Sequence, residues 1–154
     1  MSVEPTVREA DHSDVPTLEI VRRQAIEATY ADVADRSDYA DAVAAPDERL
    51  PAWIADPTFV VLVAETPVTP VAFGTVDRAG GELLALFTAP DYRRRGYATA
   101  VLDALVAEIP AERDRLLATV PLAVEPVFTA LGFTRVGEPT TDAIPTAAMD
   151  RPLQ

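Results

Sequence analysis

The chain has 154 residues, no cysteine and one histidine, and its 25 acidic residues outnumber its 13 basic residues, which gives a formal charge of −12 at pH 7. Without cysteine there can be no disulfide, thiolate metal site or cysteine nucleophile, and a lone histidine cannot form a zinc site of the usual kind. The acidic balance also argues against a nucleic-acid partner, because phosphate contacts need a basic face.

Every basic residue is arginine and none is lysine. An acidic surface without lysine is typical of proteins that work in concentrated salt, where a Debye length of about 3 Å at 1 M screens the self-repulsion. An ordinary acidic protein whose codon usage replaces lysine with arginine is the alternative. We therefore expect a halophilic protein and keep the second interpretation open.

Length and hydrophobic content predict one domain over residues 1–154. Hydrophobic residues make up 49% of the sequence, which is enough for a sizeable core. No run of about 18 apolar residues predicts a membrane span, and the first residues lack the charged-then-apolar pattern of a signal peptide. We expect a cytoplasmic protein with no membrane partner.

A short strand over residues 6–10 is the first predicted element. A helix follows, with Ser13 or Asp14 as its cap, and runs to about Tyr30. Its predicted inner face consists of Val15, Leu18, Ile20, Val21, Ala25 and Ile26. This apolar face indicates a helix that packs on a sheet.

The region from 31 to 57 carries helical signals of unequal strength. Residues 31–45 are predicted as loop and short helix, because their helical period is weak and strong caps are missing. A second helical segment starts near Pro46 and ends at Asp56-Pro57, and Trp53 is its expected inward anchor.

Valine- and phenylalanine-rich segments predict the centre of the sheet. Residues 58–65 and 71–77 form a hairpin, and 82–88 returns as the next strand after the Gly80-Gly81 turn. The remaining predicted elements are a strand over 115–120, a helix over 124–131, and an antiparallel pair of strands over 133–138 and 145–150.

The segment 86–98 is the most informative part of the chain. A strand-like apolar run passes into the basic loop Arg93-Arg94-Arg95-Gly96 and then into a helix whose apolar spacing continues to Ile109. At a helix start the first amides lack intrahelical partners and the macrodipole adds partial positive charge, so an anion can bind to the main chain. The sequence therefore predicts a phosphate-binding loop. The two common nucleotide-binding glycine motifs are missing, which disfavours an unrelated nucleotide-binding domain.

The loop resembles motif A of the GNAT superfamily of acyl-CoA-dependent N-acyltransferases, written Gln/Arg-x-x-Gly-x-Gly/Ala and matched by residues 93–98. Ala130-Leu131-Gly132-Phe133 resembles the end of the family's motif B, and segments 7–11 and 149–153 resemble its first and last strands. The resemblance covers nearly the whole chain. It implies an α/β fold with a mixed, mostly antiparallel sheet flanked by helices, in which a splayed parallel strand pair holds acyl-CoA.

The resemblance also implies a reaction and its site. The expected reaction is direct acetyl transfer from acetyl-CoA to a primary amine in a ternary complex, with no metal. The acceptor is a small-molecule amine or an amine of a protein or peptide, and a homodimer is left open. Main-chain groups of Phe87 and Thr88 would pair with the pantetheine arm. The pyrophosphate would be held by Arg93, Arg94, Arg95, Gly96, Tyr97, Ala98 and Thr99.

Glu82 is the catalytic residue that the resemblance implies. It lies eleven positions before Arg93, where some family members carry the glutamate that acts as general base for the amine. The alternative is an exposed glutamate beside a hairpin turn.

Two positions depart from the family pattern. Phe128 stands where many members have a tyrosine that protonates the leaving coenzyme A thiolate, and Pro121 stands where many have an asparagine that contacts the pantetheine. Neither side chain can do that polar work. The departures motivate a second hypothesis, a catalytically weak acyl-CoA-binding or regulatory module.

Overall fold

The computed structural model describes residues 5–30, 47–141 and 145–153. These residues form a seven-stranded sheet in the order β1-β2-β3-β4-β5-β7-β6. The strands are Thr6–Glu9 (β1), Phe59–Glu65 (β2), Pro70–Asp77 (β3), Glu82–Thr88 (β4), Arg115–Pro121 (β5), Thr134–Arg135 (β6) and Thr146–Pro152 (β7). The described helices are Val15–Tyr30 (α1), Arg49–Ala55 (α2), Tyr97–Val106 (α3) and Glu125–Ala130 (α4). The segment predicted as loop and short helix, 31–45, lies outside the described residues.

The sheet is mixed and mostly antiparallel. Strands β4 and β5 run parallel, and every other neighbouring pair is antiparallel. The connection from β4 to β5 passes through α3, as a parallel pair requires. The fold that the resemblance implied is therefore confirmed.

Helices cover both faces of the sheet, and each face has its own apolar cluster. On the α3 face, α3 and α4 pack with strand residues such as Leu116 and Met149. On the α1 face, α1 and α2 pack Leu18 and Trp53 against strand residues that include Phe73. None of the described helices has both the length and the apolar character needed to cross a bilayer.

Helix α3 lies unusually close to β3 because Gly74 has no side chain. A Cβ built on Gly74 would lie 2.8 Å from Leu105 Cδ1, 3.1 Å from Val101 Cγ1 and 3.0 Å from the carbonyl oxygen of Ala85. Real Cβ atoms essentially never come closer than 3.0 Å to another atom, and contacts of 3.0–3.4 Å are tighter than most. Gly74 therefore sets the distance of α3 from the sheet.

The start of α1 differs from the prediction. Ser13 and Asp14 are not the cap: Asp11 caps a 3-10 turn over His12–Asp14 that runs directly into α1. Asp14 accepts a hydrogen bond of 2.8 Å from the Asp11 amide, and its two carboxylate oxygens accept from Arg8, each at 2.8 Å. Asp14 is buried because these charged and polar partners satisfy its carboxylate.

Other details of the helices and strands also differ from the prediction, each for a local reason. Ile20 was expected on the inner face of α1 but is 51% exposed, because it lies about 200° around the helix from the buried Leu18. Helix α3 ends at Val106, and tighter i→i−3 bonds carry the chain to the buried Ile109. Strand β6 covers two residues because Gly137, with φ 81°, turns the chain away.

We predict that Asp14→Asn lowers the free energy of unfolding by about 1 kcal/mol at neutral pH, a modest figure because Arg8 is partly exposed to solvent. The Arg8 guanidinium holds the pKa of the Asp14 carboxyl below its usual value. A lowered folded-state pKa gives stability that is present above about pH 4 and lost as the pH falls through that lower pKa. Urea titrations of both proteins should therefore show a difference in the free energy of unfolding that is smaller in acid than at neutral pH. A difference of equal size in acid and at neutral pH would contradict this assignment.

Candidate active site

Strands β4 and β5 separate soon after they begin. Their registered pairs are Glu82 with Leu117 and Leu83 with Ala118, although both strands continue for several residues. At about 3.3 Å per residue, the stretch from Leu83 to Thr88 makes this gap about 17 Å long. The gap therefore opens toward the carboxyl ends of the parallel pair, where an extended ligand arm would fit.

A β-bulge accounts for the place where the strands part. Thr75 of β3 pairs with Ala85 and Val76 pairs with Leu83, so Leu84 has no partner on β3. Leu84 and Ala85 both pack in the α1-face cluster, whereas regular strand residues alternate between faces. A bulge bends its strand and increases the local twist. No glycine or proline in this strand signals the bulge, so the sequence analysis missed it.

Strand β4 leads through a 3-10 turn, Pro90–Tyr92, into the loop that precedes α3. Gly96 is the N-cap residue of α3, with φ 86° and ψ 6°. The amide of Ala100 donates to the carbonyl oxygen of Gly96 and starts the helical ladder. Among the described residues, no hydrogen bond is donated by the amides of residues 94–99. These free N–H groups lie where the sequence predicts that an anion binds.

The loop backbone is strained before any ligand binds. Arg94 has φ 64°, and it is the one non-glycine residue with positive φ in the described part of the chain. A left-handed conformation costs a residue with a Cβ about 1 kcal/mol or more, and such strain concentrates at ligand clamps. Gly96 is also left-handed, but glycine adopts that conformation freely, so the cost falls on Arg94.

The loop arginines have no acidic partner in the part of the chain that the structure describes. No ion pair within the described residues includes Arg93, Arg94 or Arg95, although the chain has 25 acidic residues. The guanidinium of Arg95 lies 5.4 Å from the ring centroid of Tyr92, and that ring meets the ring of Tyr97 edge-on, with centroids 6.0 Å apart. The loop is thus a local positive site in a strongly negative protein, which suits an anionic ligand.

Arg93 differs from its two neighbours. Its guanidinium donates a hydrogen bond of 3.2 Å to the carbonyl oxygen of Ala25 in α1. That bond uses one of the five N–H donors of the guanidinium and directs the side chain toward α1.

Phe87 and Thr88 lie at the carboxyl end of β4, beside the loop. Phe87 pairs with Phe73 on β3, and their ring centroids are 5.5 Å apart, so its side chain belongs to the α1-face cluster. Only the main chain of Phe87 is left for a ligand in the gap, which agrees with the role that the resemblance implied for it.

Glu82 lies one residue before the point where β4 and β5 part. It pairs with Leu117 across the parallel ladder and with Asp77 across the antiparallel one. Because Leu83 packs on the α3 face, strand alternation places Glu82 on the α1 face. The Asp77 carboxylate accepts from two turn amides, whereas Glu82 has no hydrogen bond or ion pair within the part of the chain that the structure describes. Its carboxylate is therefore available at the closed end of the gap, where β4 and β5 are still paired.

Phe128 is a core residue of α4. It is 8% exposed, and its ring meets Phe133 edge-on with centroids 5.5 Å apart. Pro121 ends β5 at the open end of the gap, where it pairs with Thr146. The two departures from the family pattern are thus a core phenylalanine and the proline that ends β5.

The comparisons with known proteins agree with this geometry. The family model for the acetyltransferase (GNAT) domain matches residues 24–149. Among solved structures, a GCN5-related N-acetyltransferase from Rhodopseudomonas palustris superposes with a TM-score of 0.82 at 18% identity, over 99% of this chain and 98% of the other. A search of curated proteins finds no match to this sequence.

Two further structures contain coenzyme A or acetyl-CoA. The PaiA N-acetyltransferase from Thermoplasma acidophilum, in complex with coenzyme A, has a TM-score of 0.74 at 20% identity, over 97% of this chain and 99% of the other. YncA from Salmonella typhimurium, with acetyl-CoA, has a TM-score of 0.70 at 17% identity, over 99% and 95%. At such identities the likeness shows a shared fold. The family model spans most of the sequence, and strands β4 and β5 separate next to the free N-terminus of a helix. The chain therefore belongs to the GNAT acetyltransferase family.

Proposed function

We propose that the protein transfers an acetyl group from acetyl-CoA to a primary amine by direct attack in a ternary complex. The observation that carries this proposal is the run of amides over residues 94–99 that donate to no described residue. They lie at the carboxyl end of β4, next to arginines that pair with no acidic group among the described residues. Coenzyme A and acetyl-CoA in the PaiA and YncA structures support the choice of co-substrate.

The chemistry needs a nucleophile, an oxyanion site and proton transfers. The amine nitrogen attacks the thioester carbonyl carbon, and the π electrons of the carbonyl move to its oxygen. The electron pair on the oxygen then re-forms the carbonyl as the C–S bond breaks, the thiolate leaves with the C–S electron pair, and the nitrogen gives up its proton to a base. Main-chain N–H groups along the gap would stabilise the oxyanion, a preorganised electrostatic effect that is often the largest contribution to catalysis. No metal takes part in this sequence of steps.

Glu82 is our proposed general base. A protonated amine cannot attack, so a nearby group must remove its proton, directly or through water. A pantetheine arm that extends from the loop into the gap would bring its thioester toward the closed end, next to Glu82. The Glu82 carboxylate would lie on the α1 face of the sheet, and the coenzyme would lie on the α3 face.

The second hypothesis is a weakly catalytic acyl-CoA-binding or regulatory module, favoured by Phe128 and Pro121. A thiol has a pKa of about 8.5, so a coenzyme A thiolate can leave without full protonation in the transition state, and a general acid helps only moderately. Solvent or another hydroxyl can then protonate it. The absence of a phenol at position 128 therefore does not by itself exclude turnover.

We predict that Glu82→Gln lowers kcat more than Phe128→Tyr changes it. Loss of the base should cost about 100-fold and alter the acidic limb of the pH–rate profile. Phe128→Tyr should change the rate by no more than about tenfold, or about 1.4 kcal/mol of barrier. Glu112→Gln, which removes one exposed carboxylate after α3, is the matched control and should behave as wild type. A Glu82→Gln enzyme with an unchanged rate and pH profile would point to a base supplied by water or substrate.

The experiment that separates the two hypotheses is an acceptor screen in high salt. Purified protein is mixed with acetyl-CoA and with polyamines, small metabolic amines, or peptides that carry a free N-terminus or lysine, and thiol release is followed. Release that depends on an amine supports the enzyme and identifies its acceptor class. Tight coenzyme A binding without release from any amine, or full activity only in Phe128→Tyr, supports the module.

A further inference from the structure

We infer that Arg93 is a positioning residue, which ties the phosphate loop to helix α1 instead of binding phosphate through its side chain. The inference rests on the proposed function, because the loop it positions is the one assigned to coenzyme A. The three loop arginines would then have two roles: Arg94 and Arg95 face the ligand, and Arg93 sets the position of the loop.

The contact that supports this role joins the loop to the helix on the α1 face of the sheet. The loop leads into α3, which packs on the α3 face, whereas Ala25 belongs to α1 and is 5% exposed in the α1 layer. The hydrogen bond from the Arg93 guanidinium to the Ala25 carbonyl oxygen is part-buried, at 3.2 Å. A bond with a charged donor in a partly buried site is stronger than a neutral surface bond. The same carbonyl oxygen accepts from Thr29 Oγ1 at 2.9 Å, so the Ala25 oxygen accepts hydrogen bonds from two side chains.

The loop needs such an anchor because its backbone is strained. Arg94, the next residue, has φ 64°, and a conformation of this kind persists only where the surroundings over-determine it. On one side of the strained residue, Tyr92 packs in the α1-face cluster; on the other, Tyr97 packs in the α3-face cluster. Arg93 adds a bond directly beside Arg94, which leaves the loop little freedom to relax to an ordinary turn.

The charge distribution supports the same division. A guanidinium that binds phosphate gains from being free of other acceptors, and among the described residues Arg94 and Arg95 have no hydrogen bond or ion pair. Arg93 alone in the loop donates to protein. If Arg93 acts through position, a neutral side chain with a donor should replace it; if it acts through charge, such a side chain should fail.

The first test uses the protein without ligand. Trypsin cleaves after arginine, so cleavage after Arg94 or Arg95 in the native protein reports how often the loop opens. Arg93→Ala should raise that rate about fivefold, and Arg93→Gln, which keeps an N–H donor, should lie close to wild type. Arg23→Ala, an exposed position on α1, is the control for loss of one charge. A loop cleaved at the wild-type rate in Arg93→Ala would overturn the inference.

The second test measures coenzyme A affinity from dilute buffer to molar potassium chloride. Arg93→Ala should weaken binding about fivefold at every salt concentration with an unchanged salt dependence, and Arg93→Gln should restore most of the affinity. Arg95→Ala should instead flatten the salt dependence, because it removes a phosphate contact that salt screens. Equal flattening in Arg93→Ala and Arg93→Gln would assign Arg93 to the phosphates. If Arg93→Ala does not fold, Arg93→Gln decides between the two results.

The two tests also separate this inference from the proposed function. Wild-type protein that does not bind coenzyme A at any salt concentration would reject the proposed function, and the trypsin result would still decide the role of Arg93. Wild-type binding combined with unchanged cleavage and affinity in Arg93→Ala would reject the role of Arg93 alone.

Discussion

Replacing Gly96 with valine is expected to weaken coenzyme A binding by about tenfold or more, equivalent to at least about 1.4 kcal/mol, while the protein stays folded. Gly96 has φ 86°, where a β-branched residue is a genuine outlier, so the loop must take another conformation and its free amides lose their alignment. A Cβ on Gly96 would have no atom within 4 Å, so the cost falls on the loop backbone and not on packing. Calorimetric titration of the folded variant with coenzyme A measures the effect.

The chain supplies a matched control for this substitution. Gly137 also has a left-handed φ, of 81°, and a Cβ there would likewise meet nothing within 4 Å. Gly137→Val should therefore carry a similar backbone penalty and leave the affinity for coenzyme A unchanged. Wild-type affinity in Gly96→Val would show that the site is assigned wrongly. An equal loss in both variants would show that the effect comes from the fold in general.

The melting temperature is expected to rise by about 10 °C or more between dilute buffer and molar potassium chloride. Only 13 arginines offset 25 acidic groups, so the compact state carries a large self-repulsion when screening is weak. The described surface ion pairs, such as Arg115–Asp150 and Arg135–Glu125, are exposed enough to add little stability. The Debye length falls from about 30 Å at 0.01 M salt to about 3 Å at 1 M, which removes most of the repulsion.

The shape of the melting curve against salt carries further information. If screening is the cause, most of the rise should occur at the lower salt concentrations, where the Debye length changes most. Sucrose is a suitable control, because it stabilises compact states by exclusion from the surface without screening charge. A melting temperature that is flat over the whole salt range would favour the alternative of an ordinary acidic protein.

Much of the fold could be predicted because its signals are local. The valine-rich segments form β2 and β3, the apolar spacing after Gly96 forms α3, and the basic loop lies between β4 and α3. These features depend on side-chain period and on glycine, both of which are visible in sequence. The resemblance added what local signals cannot give, namely the parallel pairing of β4 with β5.

The missed features depend on contacts between distant residues. The bulge at Leu84 arises from the register of β3 against β4, and nothing in the apolar run 82–88 marks it. The bond from Arg93 to Ala25 joins residues 68 positions apart, so it could not be seen in the loop motif. Asp14 looked like a helix cap because its chemistry suits one, but Arg8 of the neighbouring strand is its partner. The roles of the site residues stay predictions until they are measured.

The most direct test of the central claim is an amide-resolved NMR titration of the protein with coenzyme A in high salt. The claim is that the ligand lies in the gap between β4 and β5, with its phosphates on the free amides of the loop. We predict that the largest shift changes occur at residues 94–99 and at Phe87 and Thr88, and that Gly137 and the β1 strand are unchanged. Largest changes elsewhere on the protein, with residues 94–99 unaffected at saturation, would contradict the claim.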